Sequence, residues 1–180
     1  LFLAMSSVNP GAIASCLYRV LLPKGVAWAK DNIIKEIRRN LIWSLEKLCF
    51  SKESYQDGSK VLALLAAAEN ETWGNNATGQ FKQLFHIMLP GTEATLQERL
   101  ETLHYLKISG KEYEELALEC FDRAFDNGSF VRDGSGAQFG LQRKTDYMPK
   151  SNIEIVEYWE QCRDMLMSWL EEDKDILERT

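Results

Sequence analysis

Apolar residues recur three and four positions apart along almost the whole chain, and this spacing predicts α-helices. The clearest run is formed by Ile34, Ile37, Leu41, Ile42, Leu45 and Leu48. No long stretch alternates between apolar and polar residues, and β-branched residues are sparse, so the pattern gives strands little support. We therefore predict an all-α protein.

Start and stop signals divide this pattern into individual helices. Asn9 followed by Pro10 predicts a helix that continues to about Leu22, because asparagine caps a helix and proline suits its first position. Asp31 is predicted to cap a second helix. A third is predicted over residues 51–70, where the small-residue run VLALLAAAE allows a neighbouring helix to approach closely.

The second half of the chain carries a different kind of start signal. After a glycine-rich turn, a short helix is predicted over residues 77–88. Three capping boxes then predict three more helix starts, since a hydroxyl and a glutamate three residues later satisfy each other's backbone amides. They are Thr95 with Glu98, Ser109 with Glu112, and Ser151 with Glu154.

Residues 126–148 lack helical periodicity and are predicted to form a long irregular loop. A connection of this length inside a compact domain is usually functional or disordered. Its apolar residues indicate that it is at least partly packed: Phe130, Phe139, Leu141 and Tyr147.

Helices of comparable length joined by short turns favour antiparallel pairs in an α-solenoid-like arrangement of HEAT or tetratricopeptide character. An irregular helical bundle is the alternative. The 180 residues suit a single helical domain spanning 1–180. Because the chain opens at Leu1 directly into the apolar run LFLAM, we expect a fragment of a larger protein, a processed product, or a chain without its first helix.

The composition limits the classes of partner. A net charge of −6 argues against nucleic acid and against an anionic membrane, which both require clustered basic residues. The four cysteines contain no C-x-x-C pair and lie in apolar helical patterns, so four buried, reduced thiols are expected. Of the five tryptophans, Trp73 lies in a turn and is the one expected to be exposed.

Gly74 and Gly79 have the spacing of the phosphate-binding loop G-x-x-x-x-G-K-[ST]. Gln80 and Phe81 stand where that motif needs its lysine and its hydroxyl, and the preceding segment is helical rather than a strand. The glycines therefore predict a turn between two helices, in which asparagine side chains cap the second helix.

Other candidates for chemistry are equally weak. His86 and His104 lie on separate predicted helices without a carboxylate or cysteine at metal-ligand spacing. Asp126 and Asp133 stand near glycines but do not follow the calcium-loop order, and turn formation explains them equally well. We expect no catalytic residue, metal or cofactor.

The run RNLIWSLEKLCF from Arg39 to Phe50 resembles a segment of large bacterial NTPases of the STAND class, which act in antiviral defence. The resemblance continues through VLALLAAAENETWGNNATGQFKQLFHIMLPGTEATLQERLETL, and covers residues 39–106. In that family this region lies outside the NTPase core, in helical-repeat arms that recognise a partner protein. The resemblance implies a recognition arm, and the chain carries no ATPase motif of its own.

We therefore predict a non-enzymatic helical scaffold that binds a protein partner. Binding is expected in a groove lined by two turns, residues 73–78 and residues 90–92, and by the 126–148 loop. The predicted partner-binding residues are Trp73, Asn75, Asn76, Thr78, Gly91 and Thr92.

Two alternatives remain open in the sequence. One is a small helical enzyme whose site is assembled by folding. The other is an oligomeric structural or toxin-neutralising protein that uses Met165, Met167 and Trp169, so self-association is also considered. Unpaired thiols and the absence of an export signal lead us to expect a cytoplasmic protein, and a bacterial origin follows from the resemblance alone.

Overall fold

A computed structural model of the chain describes residues 2–128, 138–139 and 142–178, with side chains described for 3–128 and 144–170. The regular structure of this part is helical apart from one pair of two-residue strands, with turns and irregular segments between the helices, and this confirms the all-α prediction. Its helices are α1 (Phe2–Met5), α2 (Pro10–Leu21), α3 (Gly25–Asn32), α4 (Lys35–Phe50), α5 (Lys52–Ala67), α6 (Ala77–Gln83), α7 (Leu96–Ile108), α8 (Glu114–Phe125) and α9 (Asn152–Glu178). Short 3₁₀ turns at Leu22–Lys24 and Lys111–Tyr113 precede α3 and α8.

Helix α5 is the centre of the molecule. Every residue from Val61 to Ala66 is buried, so the C-terminal part of this helix is apolar all round, whereas Lys52 and Glu53 in its first turn are exposed. It contacts α2, α3, α4, α6 and α7. In a solenoid each unit would contact only its neighbours, so the arrangement around α5 fits the irregular bundle better.

Gly58 lets α4 lie close against α5, whereas the sequence prediction placed the close approach on the alanines of VLALLAAAE, residues 61–69. A Cβ atom added to Gly58 would lie 3.2 Å from the Cβ of Leu48, which is closer than ordinary van der Waals contact. The apolar side chains around this contact belong to one buried cluster that runs from Ile13 in α2 to Cys162 in α9.

The first helix start is confirmed and the second is wrong. The Asn9 side chain accepts a hydrogen bond of 3.0 Å from the Ala12 amide, and Pro10 begins α2. Asp31, however, lies in the last turn of α3. The chain changes direction two residues later, where Ile33 is buried and Ile34 is extended.

The capping box at Thr95 is confirmed. The Glu98 amide donates to the Thr95 hydroxyl at 3.3 Å, and the Thr95 amide donates to the Glu98 carboxylate at 2.8 Å. Ser109 does not begin a helix; it ends α7, and its hydroxyl donates to the Tyr105 carbonyl. Gly110 follows with φ of 105°, a left-handed conformation that stops the helix and delays α8.

The third box is half formed. The Glu154 amide donates to the Ser151 hydroxyl at 3.3 Å. The Glu154 carboxylate instead accepts hydrogen bonds from the Lys150 amide and the Tyr147 hydroxyl. Together with the backbone hydrogen bond of Lys150, the Tyr147 hydroxyl keeps the pKa of Glu154 below its usual value.

Two predicted segments differ in length from the observed ones. The helix predicted over 77–88 ends at Gln83, and turns follow it. Within the predicted 126–148 loop, β1 (Gln138–Phe139) pairs antiparallel with β2 (Gln142–Arg143). Residues 129–137 and 140–141, including Phe130 and Leu141, lie outside the described residues, as does the side chain of Phe139.

Candidate functional site

The turn between α5 and α6, residues 69–79, is held by one carboxylate. The Glu69 side chain accepts hydrogen bonds from the amides of Asn70 and Glu71 on one oxygen and from the Thr78 amide on the other, at 3.0–3.1 Å. The buried guanidinium of Arg38 in α4 donates to the same carboxylate at 2.9 Å. Because both ends of the turn bond to the Glu69 carboxylate, and Arg38 holds that carboxylate from α4, the backbone of the turn is fixed in place.

The second half of the turn is a helix cap, as the asparagine-rich sequence predicted. The Asn76 side chain accepts a 2.8 Å hydrogen bond from the Gly79 amide and donates to the Glu71 carbonyl. The two glycines meet here, since a Cβ atom on Gly79 would lie 2.7 Å from the Gly74 carbonyl oxygen. The five-residue spacing therefore serves a close backbone approach rather than a phosphate-binding loop.

Trp73 lies in this turn as a half-buried residue. Its indole N–H donates to the Glu71 carboxylate at 2.6 Å, and the Arg39 guanidinium lies over its ring at 5.6 Å from the centroid. These contacts fix the indole in one orientation while leaving part of it accessible. Asn75 beside it is exposed.

An open cleft of about 510 Å³ lies beside the turn, and we call it the turn cleft. One wall is formed by the turn, including Trp73. The other wall is formed by Lys82, His86 and, from α8, Arg123. The volume falls within the range of about 300–1,000 Å³ that ligand pockets occupy in proteins.

The two cations on the α6 and α8 side of the turn cleft are both paired with carboxylates. The Lys82 ammonium pairs with Glu119, and the Arg123 guanidinium lies 3.4 Å from the Asp126 carboxylate. Burial of the His86 ring, together with the nearby Arg123 charge, lowers the pKa of His86 below its usual value. His86 is therefore expected to be neutral at pH 7.

The second predicted turn lies in a different environment. The Gly91 amide donates to the Asp146 carboxylate at 2.6 Å. Thr92 is fully buried; its hydroxyl donates to the Cys49 carbonyl at 2.6 Å, and its carbonyl accepts from the Tyr147 amide. The Thr92 side chain is therefore not available to a partner, and neither it nor Gly91 lines the turn cleft.

A buried arginine holds that second turn in place. Arg99 in α7 is fully buried and donates to the carbonyls of Ala94 and His86 at 3.1 and 2.8 Å. The Tyr147 ring lies 5.6 Å from its guanidinium. Arg99 thus connects the backbone of His86 to the segment that carries Tyr147. His86 is one of the residues that line the turn cleft.

The expectations for tryptophan are partly wrong. Trp28 and Trp43 are the exposed ones, at 37% and 42%, whereas Trp73 is only half-buried. Trp159 donates its indole N–H to the Ala124 carbonyl at 2.8 Å and serves the fold.

The residues of the oligomer alternative, in the last helix, are divided between the core and the surface. The Trp169 ring packs on Phe121 with centroids 5.3 Å apart, so it is engaged within the chain. Met165 is half-buried, and Met167 is half exposed.

The expectation of four buried thiols holds for three. Cys16 is exposed on α2, while Cys49, Cys120 and Cys162 are buried. Burial raises the pKa of each buried thiol, that of Cys162 to about 12. Thiolate nucleophiles are therefore not available in the core at neutral pH.

The sequence did not single out Lys82 or Arg123, and it treated His86 as an ordinary helix residue. Lys82 and Arg123 lie 41 positions apart, and only the packing of α6 against α8 brings them together. A basic residue in each of two amphipathic helices is common, so no local pattern distinguished this pair.

Comparison of the chain with protein-family models, with curated proteins and with solved structures finds no match in any of the three. Within the described residues, no three histidine, cysteine or acidic side chains come together as a metal site would require. None of the helices in this part of the chain is long and apolar enough to cross a membrane.

Proposed function

We propose that the chain is a non-enzymatic helical scaffold that binds a protein partner through the 69–79 turn and the turn cleft. The observation that carries this proposal is the fixation of the turn by Glu69, which joins three backbone amides of the turn to Arg38. A loop held in one geometry before binding loses little conformational entropy when a partner docks.

Trp73 suits the role of an anchor in such a contact. It is oriented by Glu71 and Arg39 and faces the turn cleft, and tryptophan is enriched among residues that dominate interface energies. Asn75 extends the accessible surface of the turn. Asn76 and Thr78 are used by the fold itself, so we assign them to shaping the turn rather than to contacting the partner.

The resemblance to the helical arms of bacterial STAND NTPases supports the same function. The turn lies inside the resembling stretch, residues 39–106, and those arms recognise proteins. We accordingly propose a recognition arm of a bacterial defence protein.

The proposal is tested by affinity capture of the tagged chain from host lysate, with quantitative mass spectrometry of the retained proteins. Native chain is compared with Trp73→Ala and Asn75→Ala. Trp28→Ala is the matched control, because Trp28 is an exposed tryptophan that does not line the turn cleft. Circular dichroism checks that all variants keep their helicity.

We expect one stoichiometric protein that is retained by native chain and by Trp28→Ala, and is depleted about tenfold or more by Trp73→Ala. Equal retention by Trp73→Ala would show that the partner docks elsewhere. Recovery of the chain without any stoichiometric protein would overturn the scaffold function.

A further inference from the structure

The turn cleft differs in charge from the rest of the chain. The protein has 27 acidic and 21 basic residues, yet the titratable side chains that line this cleft are Lys82, His86 and Arg123. Within the described structure no carboxylate is among its lining residues. A concave surface lined by charges of one sign concentrates ligands of the opposite sign.

The two permanent cations that line the cleft are both linked to α8. Lys82 pairs with Glu119, and Arg123 follows Glu119 by four positions on α8, which places them on neighbouring turns of one helix face. Arg123 can present a planar fork of donors and Lys82 a compact charge to the same ligand.

Their present partners can release them. The side chains of Arg123 and Asp126 are 40% and 36% exposed, and Glu119 is 39% exposed. An ion pair as exposed as Arg123–Asp126 contributes about 0–1 kcal/mol, because water solvates both charges well. In the Lys82–Glu119 pair the carboxylate is similarly exposed, while the Lys82 side chain is 22% exposed. A doubly charged ligand can therefore displace Glu119 and Asp126, which turn outward into solvent.

We propose that the turn cleft binds a phosphoryl group, held by Lys82 and Arg123, with the exposed hydroxyl of Thr72 on the opposite wall. A phosphoryl group carries nearly two negative charges and three acceptor oxygens, and this matches two adjacent cations better than a single carboxylate does. The group is carried by a phosphorylated side chain or by a free phosphate-bearing molecule. The first source rests on the proposed function, since the phosphorylated residue would belong to the protein partner.

The chain contains two histidines, and they provide a reporter and an internal control. His86 lines the turn cleft, whereas His104 is exposed on α7 and does not. The charged groups that act on His86 are Arg123 and Arg99, which disfavour its protonation, and Asp126, which favours it. A bound dianion adds negative charge beside the ring and raises the pKa of His86.

The direct test is an NMR titration of the histidine side chains with inorganic phosphate, at ionic strength held constant with sodium chloride. We expect a saturable shift of the His86 signals and a raised His86 pKa, while the His104 signals do not move. Lys82→Met and Arg123→Met should each weaken the response about tenfold, as the loss of one charge-assisted hydrogen bond predicts. Lys111→Met, an exposed lysine outside the cleft, is the control.

The inference is overturned if the NMR signals of both histidines shift equally and without saturation. It is also overturned if the response survives in the Lys82→Met, Arg123→Met double variant. A folded double variant is recognised by unchanged His104 signals. Peptides with and without phosphoserine distinguish the two sources, because a side chain on a partner predicts that the phosphopeptide binds more tightly than inorganic phosphate.

The same variants separate this inference from the proposed function. If the double variant still captures the protein partner and Trp73→Ala does not, the scaffold function stands and a phosphorylated side chain of the partner is excluded as the ligand; the NMR titration then decides alone whether the site binds a free phosphate. If phosphate binds as expected and no partner is ever captured, the scaffold function is excluded and the phosphoryl site stands. Its occupant is then a free phosphate-bearing molecule.

Discussion

The guanidinium of Arg38 lies 2.9 Å from the carboxylate of Glu69, which stands 31 positions later in the chain. The same guanidinium nitrogen donates to the Leu65 carbonyl at the end of α5 at 2.6 Å. Arg38 is fully buried, and the Glu69 side chain is 17% exposed. One ion pair therefore fastens α4 to α5 and to the entry of the 69–79 turn.

Removing one member of this pair should be strongly destabilising. Arg38→Met leaves the Glu69 carboxylate without its cation in a largely buried site, and we expect a loss of about 3–5 kcal/mol in the free energy of unfolding. The double variant Arg38→Met, Glu69→Gln should lose less than Arg38→Met alone, because the Glu69 charge is then removed together with its cation. Glu71, which lies 3.9 Å from Arg38, loses that cation equally in both variants. Urea unfolding followed by circular dichroism measures both.

Arg163→Met provides the control for this pair. Arg163 forms an ion pair with Asp164 at 2.7 Å, but both side chains are well exposed, so the urea midpoint should not change. Equal stability of Arg38→Met and the native chain would mean that the turn does not depend on the Arg38–Glu69 pair.

The two glycines of the turn should respond in opposite ways to alanine. At Gly79 the added methyl group would lie 2.7 Å from the Gly74 carbonyl oxygen, so the backbone must move, and we expect a loss of about 1–3 kcal/mol. At Gly74 nothing lies within 4 Å of the added methyl group, so Gly74→Ala should be neutral or slightly stabilising. The measurement compares the urea unfolding midpoints of Gly79→Ala and Gly74→Ala with that of the native chain.

Because Gly79 lines the turn cleft and its backbone lies against Gly74, Gly79→Ala also tests whether the turn shapes the cleft. We expect it to lower partner capture together with stability. A midpoint for Gly79→Ala at or above that of Gly74→Ala would contradict the close approach of the two glycines.

Local signals in the sequence were reliable where one residue and its near neighbours determine the geometry. Asn9 with Pro10, and Thr95 with Glu98, act within a single turn of helix, and both behave as the sequence predicts. Ser109 carries the same box pattern but lies just before Gly110, whose left-handed backbone ends α7 there. The competing C-terminal signal was present in the sequence and carried more weight than the box.

The candidate site was predictable only in part, because its walls come from distant segments. The turn residues Trp73 and Asn76 could be found from the asparagine- and glycine-rich sequence. Arg38 and Arg123 could not, since their positions depend on how α4 and α8 pack against the rest of the bundle. Thr92 shows the converse error: a turn-like sequence that the fold buries completely.

One of the four thiols should react rapidly with a disulfide reagent, and the other three should react slowly. In native protein at pH 8, a disulfide reagent such as Ellman's reagent should modify one cysteine rapidly, since Cys16 is exposed and the other three are buried with raised pKa values. In denaturant all four should react at once. Cys16→Ser should remove the fast phase, and a fast phase that persists would place another thiol at the surface.

Stability should fall as the pH decreases from about 7.5 to 5.5, in part because of His86. The folded state lowers the pKa of His86 through burial and the nearby Arg123 charge, so the unfolded chain binds this proton more readily. Stability therefore rises with pH in the window below the unfolded histidine value of 6.5, where only the unfolded state takes up the proton. One proton accounts for a slope of at most about 1.4 kcal/mol per pH unit.

The measurement is a series of urea midpoints across this pH range in phosphate-free buffer, since a bound dianion would counteract the effect. His86→Gln should flatten the slope between pH 7.5 and 5.5, whatever its effect on the absolute stability. Below that range the titration of carboxylates affects both proteins alike, so the comparison is confined to the histidine window. Identical slopes in the two proteins would mean that the fold does not disfavour protonation of His86. Burial of the ring and the Arg123 charge would then not lower the His86 pKa as the structure implies.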